Sequence, residues 1–175
     1  MRGYFGIGVE GLSKAINGGN LFRSAHAFGA SFTFAIGGVW SRQESGLADT
    51  SDSPAQVPFY RFESVADMQL PDGCDLVGIE LLDAAVELPS FRHPRAAAYV
   101  LGPERGSLSP ALIERCAYVI KIPTSFCINL AVAGAVVMYD RTINLGRFPA
   151  RPLHPKGALQ PVPAHVRGRP LFRHD

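Results

Sequence analysis

Five short runs of the chain are apolar almost throughout: YFGIGVE at 4–10, SFTFAIG at 31–37, CDLVGIEL at 74–81, AAAYVLG at 96–102 and AYVIKIP at 117–123. Their length and their β-branched and aromatic content predict strands. They lack the apolar–polar alternation of a strand with one wet face, so both faces of the sheet should be covered. Between and after them come segments with helical spacing: NLFRSAHAF at 20–28, a weaker one around SVADM at 64–68, SPALIERC at 109–116 and INLAVAGAVVMYDRTINL at 128–145. Strands alternating with helices predict an α/β domain, a mostly parallel sheet covered by helices. Ser109-Pro110 has the form of a helix cap followed by a first-turn proline. Ala131, Ala133, Gly134 and Ala135 predict close packing of the last helix. Asn17, Gly18, Gly19 and Asn20 read as a loop leading into the first helix.

At 175 residues and 47% hydrophobic content the chain can bury a core of ordinary size. No apolar run approaches the roughly 18 residues that would span a bilayer, and the first residues lack the pattern of a secretion signal. Cys74, Cys116 and Cys127 form no CxxC pair, which points to a reduced, cytoplasmic setting. The five histidines are scattered and give no metal-ligand spacing, so no metal is expected. Charge is unevenly spread. Residues 1–146 hold 11 Lys/Arg against 14 Asp/Glu, a net −3, whereas 147–175 hold 6 against 1, a net +5. That last stretch also has six prolines. The division expected is a folded domain over 1–146 and a flexible, basic, proline-rich tail over 147–175, serving either as a phosphate-holding arm or as a solubilising extension. The polar stretch at 41–54 reads as a surface loop.

Three segments carry candidate chemistry. In LGPERGSLS, 101–109, a strand ends at Leu101, Gly102 and Pro103 turn the chain, and Glu104 follows at the carboxyl edge of the sheet, where open α/β sheets bind ligands. In IPTSFCINLAVAG, 122–134, Ser125, Cys127 and Asn129 stand before a helix. They can hold a polar ligand edge or simply cap that helix. In the first segment, Asn17 and Asn20 offer amides and Arg23 a planar fork suited to phosphate. Gly6, Gly8 and Gly11 imitate a dinucleotide fingerprint but follow too little strand to serve as one. FRHPR at 91–95 combines an aromatic with three basic groups that can touch a nucleic acid, Arg42 and Arg61 can add phosphate contacts, and His26 reads chiefly as a packing residue.

Taken together, Asn17–Ala25, Leu101–Ser109 and Ile122-Pro123-Thr124 with Cys127-Ile128-Asn129 resemble, in order and spacing, the three motifs of the SpoU/TrmH class of SPOUT RNA methyltransferases, in particular its small single-domain type. The resemblance extends over most of residues 4–146. It implies a SPOUT-type fold with a C-terminal deep trefoil knot and a homodimer that completes each site. It implies S-adenosyl-L-methionine as cofactor, leaving as S-adenosyl-L-homocysteine, held by loops at Glu80, Leu81, Leu101, Gly102, Pro103, Ile122, Pro123, Thr124, Cys127 and Leu130. The implied reaction is methyl transfer to an RNA ribose 2′-hydroxyl, with tRNA slightly favoured over rRNA. Arg23 would activate the hydroxyl, Asn17 would hold Arg23 or the ribose, Glu104 would orient Arg23, and Asn129 would organise the cofactor loop. A guanidinium is ordinarily charged, so stabilising the alkoxide is easier for it than accepting the proton. Cys127 stands where the family has a serine, and only three residues separate it from Pro123. A thiol is the poorer donor. A catalytically silent RNA-binding or ribosome-assembly factor and an RNA base methyltransferase are the rival readings.

Overall fold

The structure, a computed structural model, describes residues 3–38, 56–146 and 148; the 41–54 loop and, Phe148 aside, the basic 147–175 segment lie outside the described residues. Tyr4–Glu10 forms β1, Ala15–Ala27 α1, Phe32–Ile36 β2, Phe59–Phe62 β3, Asp75–Ile79 β4, Val86–Glu87 β5, Ala96–Leu101 β6, Pro110–Arg115 α2, Tyr118–Lys121 β7 and Leu130–Leu145 α3. The strands lie in the order β3-β2-β1-β6-β4-β7-β5, and every neighbouring pair is parallel. The five strands expected from apolar runs are β1, β2, β4, β6 and β7. The two strands at the sheet's edges, β3 and β5, are only four and two residues long, and Arg61 interrupts the first, so neither stands out in the sequence as an apolar run.

Side-chain alternation divides the core in two. Phe5, Ile7 and Val9 of β1 and Ala97, Tyr99 and Leu101 of β6 face α1 and α3. Ala98 and Val100 face the other way, toward Phe32, Phe34, Met68, Leu108 and Leu112. Gly6 and Gly8 lie opposite Phe32 and Phe34 in the β1–β2 register. A Cβ at Gly8 would stand 2.5 Å from the Phe34 carbonyl oxygen, and one at Gly6 would enter the Phe32 ring. These glycines make room for aromatic rings, which is why the fingerprint look-alike has no ligand role.

Two sequence expectations are corrected. SVADM forms a turn rather than a helix. Only Met68 is fully buried there, with Val65 partly buried against the same core, too little apolar surface to hold a helix. The Asn17–Asn20 stretch is not a loop: it lies inside α1, which starts at Ala15, with Asn17, Gly18 and Gly19 buried. Glycine is a poor helix former. Here α1 is held by tertiary packing against α3, where a Cβ at Gly134 would run into Leu21. The capping expected at Ser109 is present. Its hydroxyl accepts from Leu112 N–H at 3.2 Å and donates to Glu10 at 2.5 Å.

At the opposite end from the carboxyl edge, Arg141 of α3 is fully buried and donates to the carbonyls of Pro94, Arg95 (2.8 Å) and Tyr4 (3.1 Å) and to the Tyr99 hydroxyl (3.1 Å). Tyr99 meets His93 Nδ1 at 2.6 Å, and His93 Nε2 meets Asp140 at 2.9 Å. Burial pushes the His93 imidazole below its ordinary value, against the pull of Asp140. Burial also pushes the Tyr99 phenol up to about 12. Phe91 and His93 are therefore core residues and offer nothing to RNA, whereas Arg92 and Arg95 of the same stretch are exposed.

Candidate functional site

The loops that follow β1, β4, β6 and β7 converge at the carboxyl edge of the sheet around a cavity of about 450 Å³. A volume of this order suits a nucleoside-sized cofactor. Its walls mix the apolar side chains of Ile79, Leu101, Ile122, Ile128 and Leu130 with the polar groups of Lys14, Asn17, Glu80, Glu104, Lys121, Thr124 and Asn129.

Glu104 anchors the arrangement. Its Oε2 accepts from the Ser13 hydroxyl at 2.8 Å and the Ser13 N–H at 3.3 Å, and its Oε1 accepts from the Lys14 N–H at 3.1 Å and the Asn17 amide at 3.2 Å. No local side chain caps α1. Glu104, from a loop 90 residues away, takes that place, where unpaired N–H groups and the helix dipole favour a negative charge. Burial by itself would raise the Glu104 carboxyl. Hydrogen bonds from its own backbone, Ser13 and Asn17 outweigh that and hold it below its ordinary value.

Asn17 then passes the connection on. Its Oδ1 accepts from Asn129 Nδ2 at 3.1 Å, and Asn129 Oδ1 caps α3 by accepting from Ala131 N–H at 2.9 Å and Val132 N–H at 3.4 Å. Three sequence segments separated by 87 and 112 residues are thus joined by one line of side chains, Glu104–Asn17–Asn129. Glu80 performs a similar service one strand over, accepting from Leu81 N–H at 2.9 Å and Leu108 N–H at 2.8 Å. Gly102 lies in a narrow cradle: a Cβ there would stand 3.0 Å from Leu108 N and 3.4 Å from Glu80 Oε2.

Of the residues singled out in the sequence, Asn17, Glu80, Leu81, Leu101, Gly102, Pro103, Glu104, Ile122, Thr124, Cys127, Asn129 and Leu130 line the cavity. Pro123 is exposed and does not line it. Neither does Arg23, which stands on the exposed side of α1 in line with Ile16, Asn20 and Ala27. Within the chain, Asn17 and Glu104 bond to each other and to the starts of α1 and α3. Sequence reasoning missed Lys14 and Lys121. Both are single lysines outside any motif, and the signal that finds them is their place at the end of a strand or the start of a helix on the carboxyl edge.

A parallel sheet with helices on both faces and a polar-and-apolar cavity at its carboxyl edge defines an α/β protein with a ligand-sized site where open parallel sheets bind ligands. The chain belongs to the SpoU rRNA Methylase family, whose profile matches residues 5–139. Solved structures agree in fold. An AdoMet-bound rRNA methyltransferase from Sinorhizobium meliloti superposes with TM-score 0.75 at 21% identity, over 84% of this chain and 59% of that one. The SpoU methyltransferase AviRb from Streptomyces viridochromogenes, in complex with AdoMet, gives TM-score 0.72 at 21% identity, over 83% and 63%. A structure addressing the 2-OH methylation of C/U34 on tRNA gives TM-score 0.71 at 22% identity, over 83% of this chain and 98% of that one. The chain therefore spans less than two thirds of the first two relatives. No curated protein sequence matches it. Among the described residues, no helix is long and apolar enough to cross a membrane.

Proposed function

We propose that this protein is an S-adenosylmethionine-dependent RNA methyltransferase acting on a ribose 2′-hydroxyl. The observation that carries this reading is the Glu104–Asn17–Asn129 line, which brings three family motifs to one cavity. The residues present suit the cofactor: a cavity of about 450 Å³, apolar walls for an adenine ring and polar loop groups for its edges. Ile79, Leu101, Ile122, Ile128 and Leu130 would hold the ring, and Glu80, Leu81, Gly102, Pro103, Thr124 and Cys127 would surround it. Bound there, S-adenosylmethionine supplies an electrophilic methyl on sulfur and leaves as S-adenosylhomocysteine. Asn129 and Asn17 keep the surrounding loops in register so that the acceptor oxygen meets that methyl at a fixed distance.

Arg23 is assigned to the ribose oxygen, stabilising negative charge as the hydroxyl proton leaves. It reaches a cavity by dimerisation. Ile16 (61% exposed) lies on the outer side of α1 with Asn20 and Arg23, and Val132, Tyr139 and Ile143 lie at helical spacing on the outer side of α3. Both helices cover the same sheet face, so Ile16 and the apolar outer side of α3 offer a surface fit for a second copy, whose cavity would receive Arg23. A trefoil knot in the segment after β6 belongs to the same reading, on the strength of the family. tRNA is the favoured substrate class, since the tRNA-related structure is matched over 98% of its length.

The test is transfer of tritiated methyl from S-adenosylmethionine into total tRNA and rRNA. Arg23→Ala should lose transfer while keeping cofactor affinity. Mixing Arg23→Ala with Asn129→Ala protomers should restore part of the activity, because one mixed site then holds an intact cavity and an intact arginine. Undiminished turnover by folded Arg23→Ala refutes the assignment. RNA binding without any transfer by the wild type would favour a silent assembly factor, and methyl found on a base would favour base modification.

A further inference from the structure

Two side chains near the cavity are used neither by its internal hydrogen bonds nor by the cofactor reading. Phe126 is 74% exposed, although it lies between Thr124 and Cys127, both of which line the cavity. Holding a phenyl ring in water forgoes a large burial term, and the neighbouring Ile128 shows that this loop can tuck an apolar side chain into the cavity wall. Lys14 lines the cavity at the start of α1. Its backbone N–H is committed to Glu104, but among the described residues no acceptor takes a hydrogen bond from its ammonium. Lys121, the other lysine on the wall, is engaged: its ammonium donates to the Asp83 carbonyl at 3.0 Å.

We propose that Phe126 and Lys14 form the acceptor-strand subsite, the phenyl ring stacking on an RNA base beside the methylated ribose and the ammonium pairing with an adjoining phosphate. The inference rests on the RNA methyltransferase reading and adds how the strand is held. An exposed aromatic supplies a face on which any base can stack, and a hydrated ammonium on a flexible stem supplies a mobile point charge for phosphate. Neither selects sequence strongly, so the subsite demands an unpaired, accessible nucleotide rather than a particular base. Phe126 lies outside α3, so the apolar helix faces assigned to the dimer do not account for it. A second copy of the chain is the competing occupant.

Full-length Phe126→Ala, Phe126→Trp and Lys14→Ala are compared with wild type. Affinity for bulk tRNA and for bulk rRNA is measured across a salt series with S-adenosylhomocysteine present, cofactor affinity by calorimetry and mass by sedimentation. Phe126→Ala should weaken RNA binding about tenfold with the salt slope unchanged, and Phe126→Trp should bind like wild type. Lys14→Ala should flatten the slope of log affinity against log salt by about 0.7–0.9, the signature of one lost phosphate contact. Both Phe126 variants should keep wild-type cofactor affinity, and all three variants should keep wild-type mass. Unchanged RNA affinity in Phe126→Ala, an unchanged slope in Lys14→Ala, or a fall in mass that accompanies the Phe126→Ala defect would each overturn the subsite. The readout needs no turnover: a Phe126-dependent RNA complex in a protein that transfers no methyl would support the subsite and sink the enzyme reading. Transfer by wild type with equal RNA affinity in Phe126→Ala would do the reverse, and failure of wild type to bind either RNA would sink both.

Discussion

Glu104 accepts hydrogen bonds from three residues around the start of α1 and, through Asn17, is tied to the start of α3. Its charge does structural work at the centre of the site. Glu104→Gln keeps the shape but puts an amide N–H where donors already point. The group is partly exposed, so the loss should be about 1 kcal/mol, or about 2–4 °C in Tm. The pH dependence has a definite sign. Because the folded state holds this carboxyl below its ordinary value, its contribution is fully present above the ordinary glutamate range. It disappears as pH falls through the lowered value. The Tm difference between wild type and Glu104→Gln, followed by calorimetry, should therefore shrink on acidification into that range. A difference that stays constant or grows would show that the charge is not what stabilises this junction.

At the scale of elements, β1 makes the strongest demand on residue identity. Gly8 faces Phe34 across the β1–β2 pair, and a Cβ would come within 2.5 Å of a backbone oxygen that no rotamer change can move. Gly8→Ala should cost about 1–3 kcal/mol in urea unfolding, more than a substitution at an exposed turn position such as Ala66→Ser. Equal costs at the two positions would contradict the packing role. Strands β1, β2, β4 and β6 were legible because both their faces are buried and their sequences are nearly continuously apolar, and β7, with Tyr118 exposed, by its aromatic and β-branched run. Helix α1 was legible only in its second half. The pattern from Leu21 onward has helical period, but Asn17, Gly18 and Gly19 have low helix propensity, and what holds them helical is distant in sequence: packing against α3 and the Glu104 bonds at the helix start. The two edge strands had no comparable signal.

For the whole molecule, the charge division matters most. Residues 147–175 carry a net +5 against −3 for the rest. Ending the chain at Gly146 is expected to weaken RNA affinity and flatten its salt dependence while leaving cofactor affinity unchanged. Equal affinity and equal slope in the shortened protein would assign the segment to solubility. The proposed dimer is tested at the outer faces of α1 and α3. Sedimentation of wild type beside Ile16→Lys/Tyr139→Lys should show a dimer reduced to monomer, with methyl transfer lost at the same time.

By itself, the amino-acid sequence determined the α/β class, most of the strands, the cap at Ser109 and the motif residues that line the cavity, because burial on both sheet faces and close backbone approach restrict local residue type. Tertiary structure alone decided which partners those residues take. Glu104 caps a helix 90 positions away, Asn17 joins two other motifs, His93 is a core residue and Arg23 faces outward from the cavity of its own chain. The reason is physical: propensity and hydrophobic period are local along the chain, whereas a hydrogen bond between loops exists only once the sheet has set their separation.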